Sequence, residues 1–353
     1  MTPAEIIHRR LVNHGILQSQ FKTTEEVVSW LGAVQSQDFY GGKWALGLRL
    51  KNATDAQIEK VFNEGSILRT HVLRPTWHFV TPDDIRWMLQ LTAKRVIAAM
   101  ASQYRQLELD KATIKRCNGA LRKALKGGKY LMRDEIAVAL KKAGIVTDGQ
   151  RFIHLMMRAE LDEVVCSGPR KGKQFTYALL DERAPNAKSL KHDEALAELS
   201  LRYFKSHGPA TLKDFAWWSG LTLADAREGV EINKSILLHE TIEGKSYWFV
   251  ETFSLQKESS HTAYLLPNYD EYIIAYADRS NLFEEEHSKK TPRGNVIFNN
   301  TILIDGKVVG IWQRTFKKSK VIIEKKFVVP ISKSQCQLVD KAEKRFRKFI
   351  IPA

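Results

Sequence analysis

The chain has 353 residues, 44% of them hydrophobic and 27% charged. That balance excludes collagen-like, low-complexity and wholly disordered chains, and it leaves apolar surface for a core in each of two or three small domains. Lys and Arg number 55 against 40 Asp and Glu, a formal net charge of +15, which favours a polyanionic partner, nucleic acid first. Cys117, Cys166 and Cys336 are far apart and form no CxxC pair, so neither a zinc ribbon nor a disulfide framework is expected, and a reducing cytosol is. The N-terminal residues lack the apolar core of a signal peptide, and no run approaches the roughly 18 apolar residues of a membrane span. A cytoplasmic, nucleoid-associated protein without membrane attachment is expected.

Thr2-Pro3-Ala4-Glu5 is a capping box with proline at the first helical position, and Thr23-Thr24-Glu25-Glu26 opens a second helix. Val27, Trp30, Leu31 and Val34 then fall at i, i+3, i+4 and i+7, one buried face. Thr54-Asp55-Ala56-Gln57 starts a third helix that Gly65 stops. Residues 67–80 are β-branched and aromatic but broken by Pro75, which predicts short strands with a bend. Three helices followed by a short β element outline a winged helix-turn-helix. Thr81-Pro82-Asp83-Asp84 caps a further helix running to about Tyr104, after which the outline repeats.

The repeat has helices near 121–125, 132–143 and 150–160. It ends in a hairpin, 163–166 and 174–177, whose tip Ser167-Gly168-Pro169-Arg170-Lys171-Gly172-Lys173 is basic and glycine-rich, as a wing is. A third copy has helices at 194–205, after Thr211 and after Thr222, and a hairpin turning at Glu243-Gly244. The last ninety or so residues alternate as antiparallel strands at 296–304, 307–313 and 320–328, with Asp305-Gly306 as a hairpin turn and a basic turn at 315–320; a short basic helix, 334–348, closes the chain. The expected fold is α+β: tandem winged helix-turn-helix domains with a C-terminal antiparallel β element. The expected boundaries are 1–105, 106–185, 186–260 and a β-rich 261–353 packed on the third module.

The stretch from Leu31 to Gly42 carries the most chemical information. A periodic helix ends here, with Gly41-Gly42 marking its end. Gln35 and Gln37 share a side only if the backbone is extended. Two convergent carboxamides can hold a water by donating and accepting hydrogen bonds; paired glutamines at a helix end are otherwise ordinary surface residues. No GxGxxG, P-loop, HExxH or GxSxG element is present, so nucleotide-dependent and common hydrolase chemistries lack support.

Val34-Gln35-Ser36-Gln37-Asp38 resembles the paired-glutamine motif of the AlkZ/YcaQ-like DNA glycosylases, in which two glutamines flank an aliphatic residue. Two further segments match in order. Leu68 to Val80 resembles the family's R-x-x-x-R-x-T-x-H stretch, here with Arg69, Arg74, Thr76 and His78, and Leu266-Pro267-Asn268-Tyr269-Asp270-Glu271 to Asp278-Arg279 resembles its LPxYDE…DR signature. Gly310-Ile311-Trp312-Gln313-Arg314 is also similar to the family. Ser36 departs from the pattern at the aliphatic position.

The resemblance implies monofunctional hydrolysis of the N-glycosidic bond of N7-alkylated purines, including interstrand crosslinks, reached without conventional base flipping, with no cofactor and no metal. Gln37 is implied as the principal water-positioning residue and Gln35 as its assistant. Asp38 is expected either to stabilise the developing cation, to act as base, or to cap local backbone. Arg69, Arg74, His78, Arg170, Lys171 and Lys173 are the candidate DNA contacts. For these the bland readings are carboxylate pairing for the two arginines of the 67–80 stretch, structural hydrogen bonding for His78, and a solvated loop for the wing. If His71 and His78 share one strand, they lie on opposite faces, which disfavours zinc. Asp270 and Glu271 are expected in a buried hydrogen-bond network, and Trp217-Trp218 in a core. Three modules in one chain fit a monomer on double-stranded DNA. The rival reading is a non-catalytic winged-helix DNA-binding protein, regulatory or architectural.

Overall fold

The computed structural model describes residues 1–251, 261–283, 296–317 and 320–351. The expected boundary at 260 and part of the basic turn at 315–320 lie outside them. The described chain divides into two compact units, one comprising 1–59, 197–218 and 222–353, the other 60–196 with 219–221.

The first unit begins with α1 (Pro3–Asn13) and α2 (Thr24–Leu31), each opened by the capping box legible in the sequence, with Gly32 ending α2 at a φ of 80°. A two-residue strand, β1 (Val34–Gln35), follows, and then α3 (Phe39–Leu48). Here the structure corrects the expected helix end: Gly41 and Gly42 lie in the first turn of α3, with Asp38 as its N-cap. The helix escapes detection because nearly every residue of it is buried, so it carries no polar face and no periodicity. Gly41 is required there by close approach, since a Cβ would sit 2.9 Å from both Asn268 Oδ1 and Asp38 Oδ2. The next helix, α4 (Asp55–Glu64), has the expected Thr54–Gln57 box: Gln57 N–H donates to Thr54 Oγ1 at 3.2 Å and Thr54 N–H to Gln57 Oε1 at 2.9 Å.

The second unit holds β2 (Leu68–His71) and β3 (Trp77–Val80), an antiparallel pair in which Thr70 faces His78 and His71 faces Trp77. His71 and His78 are therefore on different strands, and the parity argument from one strand does not apply. The helix expected to reach Tyr104 breaks at Met100 into α5 (Ile85–Ala99) and α6 (Ala101–Gln106). Then come α7 (Lys111–Leu125), β4 (Leu131–Met132), α8 (Arg133–Lys142), α9 (Arg151–Leu161), β5 (Val165–Ser167) and β6 (Thr176–Leu179). Their sheet has the order β4-β6-β5, so the strand before the second helix joins the hairpin after the third. A short α10 (Leu180–Arg183) follows.

The chain continues through α11 (His192–Ser206), α12 (Leu212–Ser219), α13 (Leu223–Ile232) and the hairpin β7 (Leu238–Ile242) and β8 (Lys245–Phe249). The C-terminal region contributes β9 (Ala263–Leu266), α14 (Glu271–Ile274), β10 (Asn300–Ile304), β11 (Lys307–Lys317), β12 (Lys320–Phe327) and α15 (Lys333–Ile350). The four strands form one antiparallel sheet in the order β12-β11-β10-β9. Asp305 and Gly306 take φ of 50° and 79°, as a two-residue hairpin turn demands. Residues 296–298, expected to open a strand, form a 3₁₀ turn instead. Trp44 of α3 meets Phe346 and Phe349 of α15 at ring separations of 5.1 and 5.0 Å, and Trp312 of β11 meets Phe346 at 4.8 Å. The first and last parts of the sequence thus share one core.

Candidate active site

The Gln35–Asp38 segment bridges β1 and α3. Gln35 is 4% exposed and Ser36 fully buried, whereas Gln37 stands exposed and Asp38 half-buried. The backbone amide of Gln35 donates to Glu271 Oε1 at 2.7 Å, across 236 residues of sequence. The second oxygen of Glu271 accepts the Trp218 indole N–H at 2.9 Å. Glu271 is itself wholly buried, so this carboxylate fixes the strand that carries the motif to the floor of the unit.

The rest of the Leu266–Glu271 loop wraps the same segment. Asp270 receives a bidentate pair from the buried Arg49, both bonds 2.9 Å, and Arg49 also donates to the Ala45 carbonyl of α3. A planar fork of this kind fixes angle as well as distance. Tyr269 is held at a φ of +61°, a left-handed conformation that costs a non-glycine residue on the order of 1–2 kcal/mol. Burial and the neighbouring Asp38 charge raise the pKa of its phenol. Asn268 turns its Oδ1, buried and without a protein hydrogen-bond partner, toward Gly41.

Asp38 is doubly engaged. Oδ1 accepts the Gly41 N–H at 3.1 Å, and Oδ2 pairs with Arg314 at 3.0 Å. The carboxylate thus faces the positive end of the α3 dipole and a guanidinium together, which offsets most of its charge.

Beside Glu271 lies a buried aromatic cluster. His14 Nε2 shares a hydrogen bond with Tyr276 Oη at 2.9 Å, Tyr276 donates to the His207 carbonyl at 2.7 Å, and Tyr203 stacks on His207 with centroids 4.8 Å apart. Burial holds both imidazoles below their ordinary pKa, and their mutual proximity lowers His14 further. His207 Nε2 stands 3.7 Å from Glu271, a contact that works against this shift without outweighing burial. The buried hydrogen-bond network expected at Asp270 and Glu271 is found, but its members His14, Tyr276 and Trp218 escape sequence reasoning because their partners are 53 to 262 residues away. The Trp217-Trp218 pair divides: Trp218 is buried, while Trp217 is 43% exposed with its indole N–H on the Ile274 carbonyl at 2.8 Å.

In the second unit the Arg69 guanidinium lies between Trp77 and Phe175, 4.3 and 4.8 Å from their centroids, and is almost buried. His78 is fully buried with Nδ1 2.9 Å from the Thr76 carbonyl, so its ring is not presented to a duplex; the structural reading of this residue fits its position. Arg74 is partly exposed. Asp83, considered as an arginine partner, pairs with Lys188 at 3.1 Å. At the wing, Lys171 and Lys173 are exposed, and Arg170 is half-buried over Phe175 with its guanidinium donating to the Lys173 carbonyl at 2.7 Å. His71 is bound through its ring and its amide to the buried Glu160, at 2.5 and 2.8 Å. Among the described residues no cluster of three or more His, Cys, Asp or Glu has the geometry of a metal site.

Three comparisons with known proteins converge. The family described as DNA glycosylase AlkZ-like matches residues 28–349. The interstrand DNA cross-link repair glycosylase of Streptomyces sahachiroi is 23% identical over 318 residues, which is 82% of each chain. The solved structure of Streptomyces sahachiroi DNA glycosylase AlkZ superposes with a TM-score of 0.79 at 18% identity, covering 98% of this chain and 95% of that one.

Proposed function

The chain belongs to the AlkZ-like DNA glycosylase family, and from that premise we propose that it excises N7-alkylated purines from double-stranded DNA by water attack at C1′, with Gln37 as the residue that places the water. The observation that carries this reading is the contrast within the motif. Gln37 is exposed, while Gln35 two residues before it and Asp38 after it are anchored by Glu271 and Arg314. A side chain on a fixed backbone holds a water without reorganising at the moment of reaction.

The chemistry asks little more. An N7-alkylated purine is cationic, so it departs with the electrons of the glycosidic bond as a neutral base and needs no general acid. The sugar acquires oxocarbenium character, and the water oxygen supplies the new bond to C1′. A carboxamide accepts hydrogen bonds but does not take up a proton. The proton therefore leaves the new hydroxyl to solvent, an abasic site remains, and no lysine nucleophile is used. Gln35, its amide tied to Glu271, assists by holding the segment. Asp38, compensated by the helix terminus and Arg314, acts in orientation more than as base. Ser36, buried where the family carries an aliphatic residue, packs behind the motif.

The curated relative is named for interstrand cross-link repair, and crosslinked purines are proposed as substrates here too. The duplex is gripped by tandem winged helices with the boundaries expected from the sequence. The order α7-β4-α8-α9-β5-β6 with its β4-β6-β5 sheet supports that reading for the second module. Arg74, Arg170, Lys171 and Lys173 meet phosphates, with Arg69 stiffening their base through its aromatic sandwich. The protein acts as a monomer at the nucleoid without a cofactor. The test is abasic-site formation on a duplex carrying one N7-alkylguanine, with and without a nitrogen-mustard crosslink. Wild type releases the base and Gln37→Ala releases it about 10²-fold more slowly, while both bind duplex; absence of release by wild type overturns the proposal.

A further inference from the structure

The last helix of the first unit separates its charges by face. On one side, Asp340 and Glu343 are neutralised by Lys325, each at 2.8 Å, and Glu343 also by Arg347 at 2.8 Å. On another, Lys341, Lys344, Arg345 and Lys348 stand at i, i+3, i+4 and i+7, one stripe of the helix. This stripe lines a cleft of about 770 Å³ whose other walls include Lys51, Leu50 and Phe349. Among the described residues, no acidic one lines the cleft. Among the described residues, Lys51, Lys341, Lys344 and Lys348 have no carboxylate within ion-pair distance, although each is exposed.

Arg345 is fixed differently. Its guanidinium donates to the carbonyls of Leu48 and Leu50 at 2.5 and 3.3 Å, at the C-terminal end of α3. It is held by carbonyl dipoles with no anion beside it, and burial lowers its pKa from the ordinary value. Apolar walls beneath charges of one sign concentrate the field in the cleft. The arrangement is therefore an anion site built by cation placement, its lysines drawn to one face while the acids of the same helix are neutralised elsewhere.

The position of the cleft selects the anion. Asp38 caps the N-terminus of α3, and Gly47 and Leu50 border the cleft at its other end. Ten helical residues span about 15 Å at 1.5 Å each. Nucleotides along a duplex strand rise about 3.4 Å each, so the two ends of α3 are about four nucleotides apart. Along α15, Lys341 to Lys348 covers about 10 Å, or three such steps. We infer that this cleft holds the phosphodiester backbone flanking the lesion, about four nucleotides from the base being released. The inference rests on the motif reading above for its register but not for the existence of the site.

The test uses the full chain and undamaged duplex of about 20 base pairs, so that base release is not the readout. Wild type is compared with the triple variant Lys341→Glu/Lys344→Glu/Lys348→Glu and with the corresponding Lys→Arg triple, both checked by circular dichroism and thermal melting. Each phosphate contact contributes about 0.9 to the slope of log affinity against log salt, so loss of three lowers the slope by about 2.7. The Arg triple retains the wild-type slope. Trimming one flank of a lesion-centred duplex to fewer than about four base pairs lowers wild-type affinity toward that of the Glu triple, which is itself insensitive to the trim.

A Glu triple with the wild-type slope overturns the inference while leaving the glycosylase reading intact. An effect on binding that is independent of flank length overturns the register. Displacement of duplex-independent binding by millimolar inorganic phosphate or deoxynucleoside monophosphate, with duplex affinity unchanged in the Glu triple, assigns the cleft to a small phosphate ligand and overturns the strand inference. Loss of base release in Gln37→Ala with normal flank dependence separates failure of one reading from failure of the other.

Discussion

The Gln35–Asp38 segment and the 165–179 hairpin are both short, both beside glycines and both assigned to DNA, yet they are held in opposite ways. The hairpin is held by many bonds, to itself and to its own unit: Val165 pairs with Leu179, Cys166 with Ala178 and Ser167 with Tyr177, Lys171 and Gln174 exchange backbone hydrogen bonds of 3.1 Å near the tip, β6 also pairs with β4, and Ser167 Oγ accepts the Arg69 N–H while Arg170 N–H donates to Asn63. The motif is tied to residues 236 and 276 positions away, through Glu271 and Arg314. A region held by its own neighbours tolerates loss of any one side chain. A region held by one buried carboxylate does not. The comparison predicts that the Gln35–Asp38 segment is coupled to global stability and the wing is not.

The strongest way to break the comparison is Glu271→Ala. Removing this acceptor leaves the Gln35 amide and the Trp218 indole N–H buried without it, at about 1–3 kcal/mol each, so unfolding in denaturant shifts by about 4 kcal/mol in total. Glu271→Gln, which retains one acceptor oxygen, recovers part of the loss; equal stability of all three proteins would place the anchor elsewhere. Gln37→Ala sharpens the contrast from the other side. Base release falls by about 10²-fold, the scale of removing one preorganised polar group, while stability stays within about 0.5 kcal/mol because the side chain is exposed. Single-turnover release and denaturant melts measure the two effects on the same samples.

At the wing, charge reversal of Arg170, Lys171 and Lys173 lowers the salt slope by about 2.7 if all three meet phosphates, so the ratio of duplex affinities at 50 and 200 mM salt shrinks by about 40-fold. Melting temperature is expected to hold, and a wing variant that melts early would contradict its local closure. The smallest effect concerns acid. His14 and His207 have folded pKa values below the ordinary 6.5 because of burial. Below that pH the unfolded chain takes up protons that the folded chain refuses, so their contribution is present above about 6.5 and is lost as pH falls toward the folded values. Melting temperature should drop between pH 7 and 5, and the drop should shrink in His14→Gln; an unchanged pH profile in that variant would remove His14 as its source.

Local chemistry was legible in the residues. The Thr2, Thr23 and Thr54 boxes, the stop at Gly65, the Asp305-Gly306 turn and the 165–179 hairpin each rest on atoms within a few positions of one another, and each is found. The family motifs brought the right segments to attention in the right order. The helix α3 was not legible, because burial of all but Tyr40 erases the helical period and Gly41-Gly42 mimics a stop. The bend expected at Pro75 is found: it separates His71 on β2 from His78 on β3, so the face argument that applied to a single strand has no role here.

What the sequence determined by itself is the caps and turns, the charge and the identity of the motif, because capping and hairpin closure act over a few bonds. The tertiary structure alone decided that Asp38 is a helix cap paired with Arg314, that Glu271 anchors Gln35, and that the lysines of α15 share one cleft. Those contacts join positions hundreds of residues apart, and no local preference encodes which buried amide a distant carboxylate will meet once the core has closed.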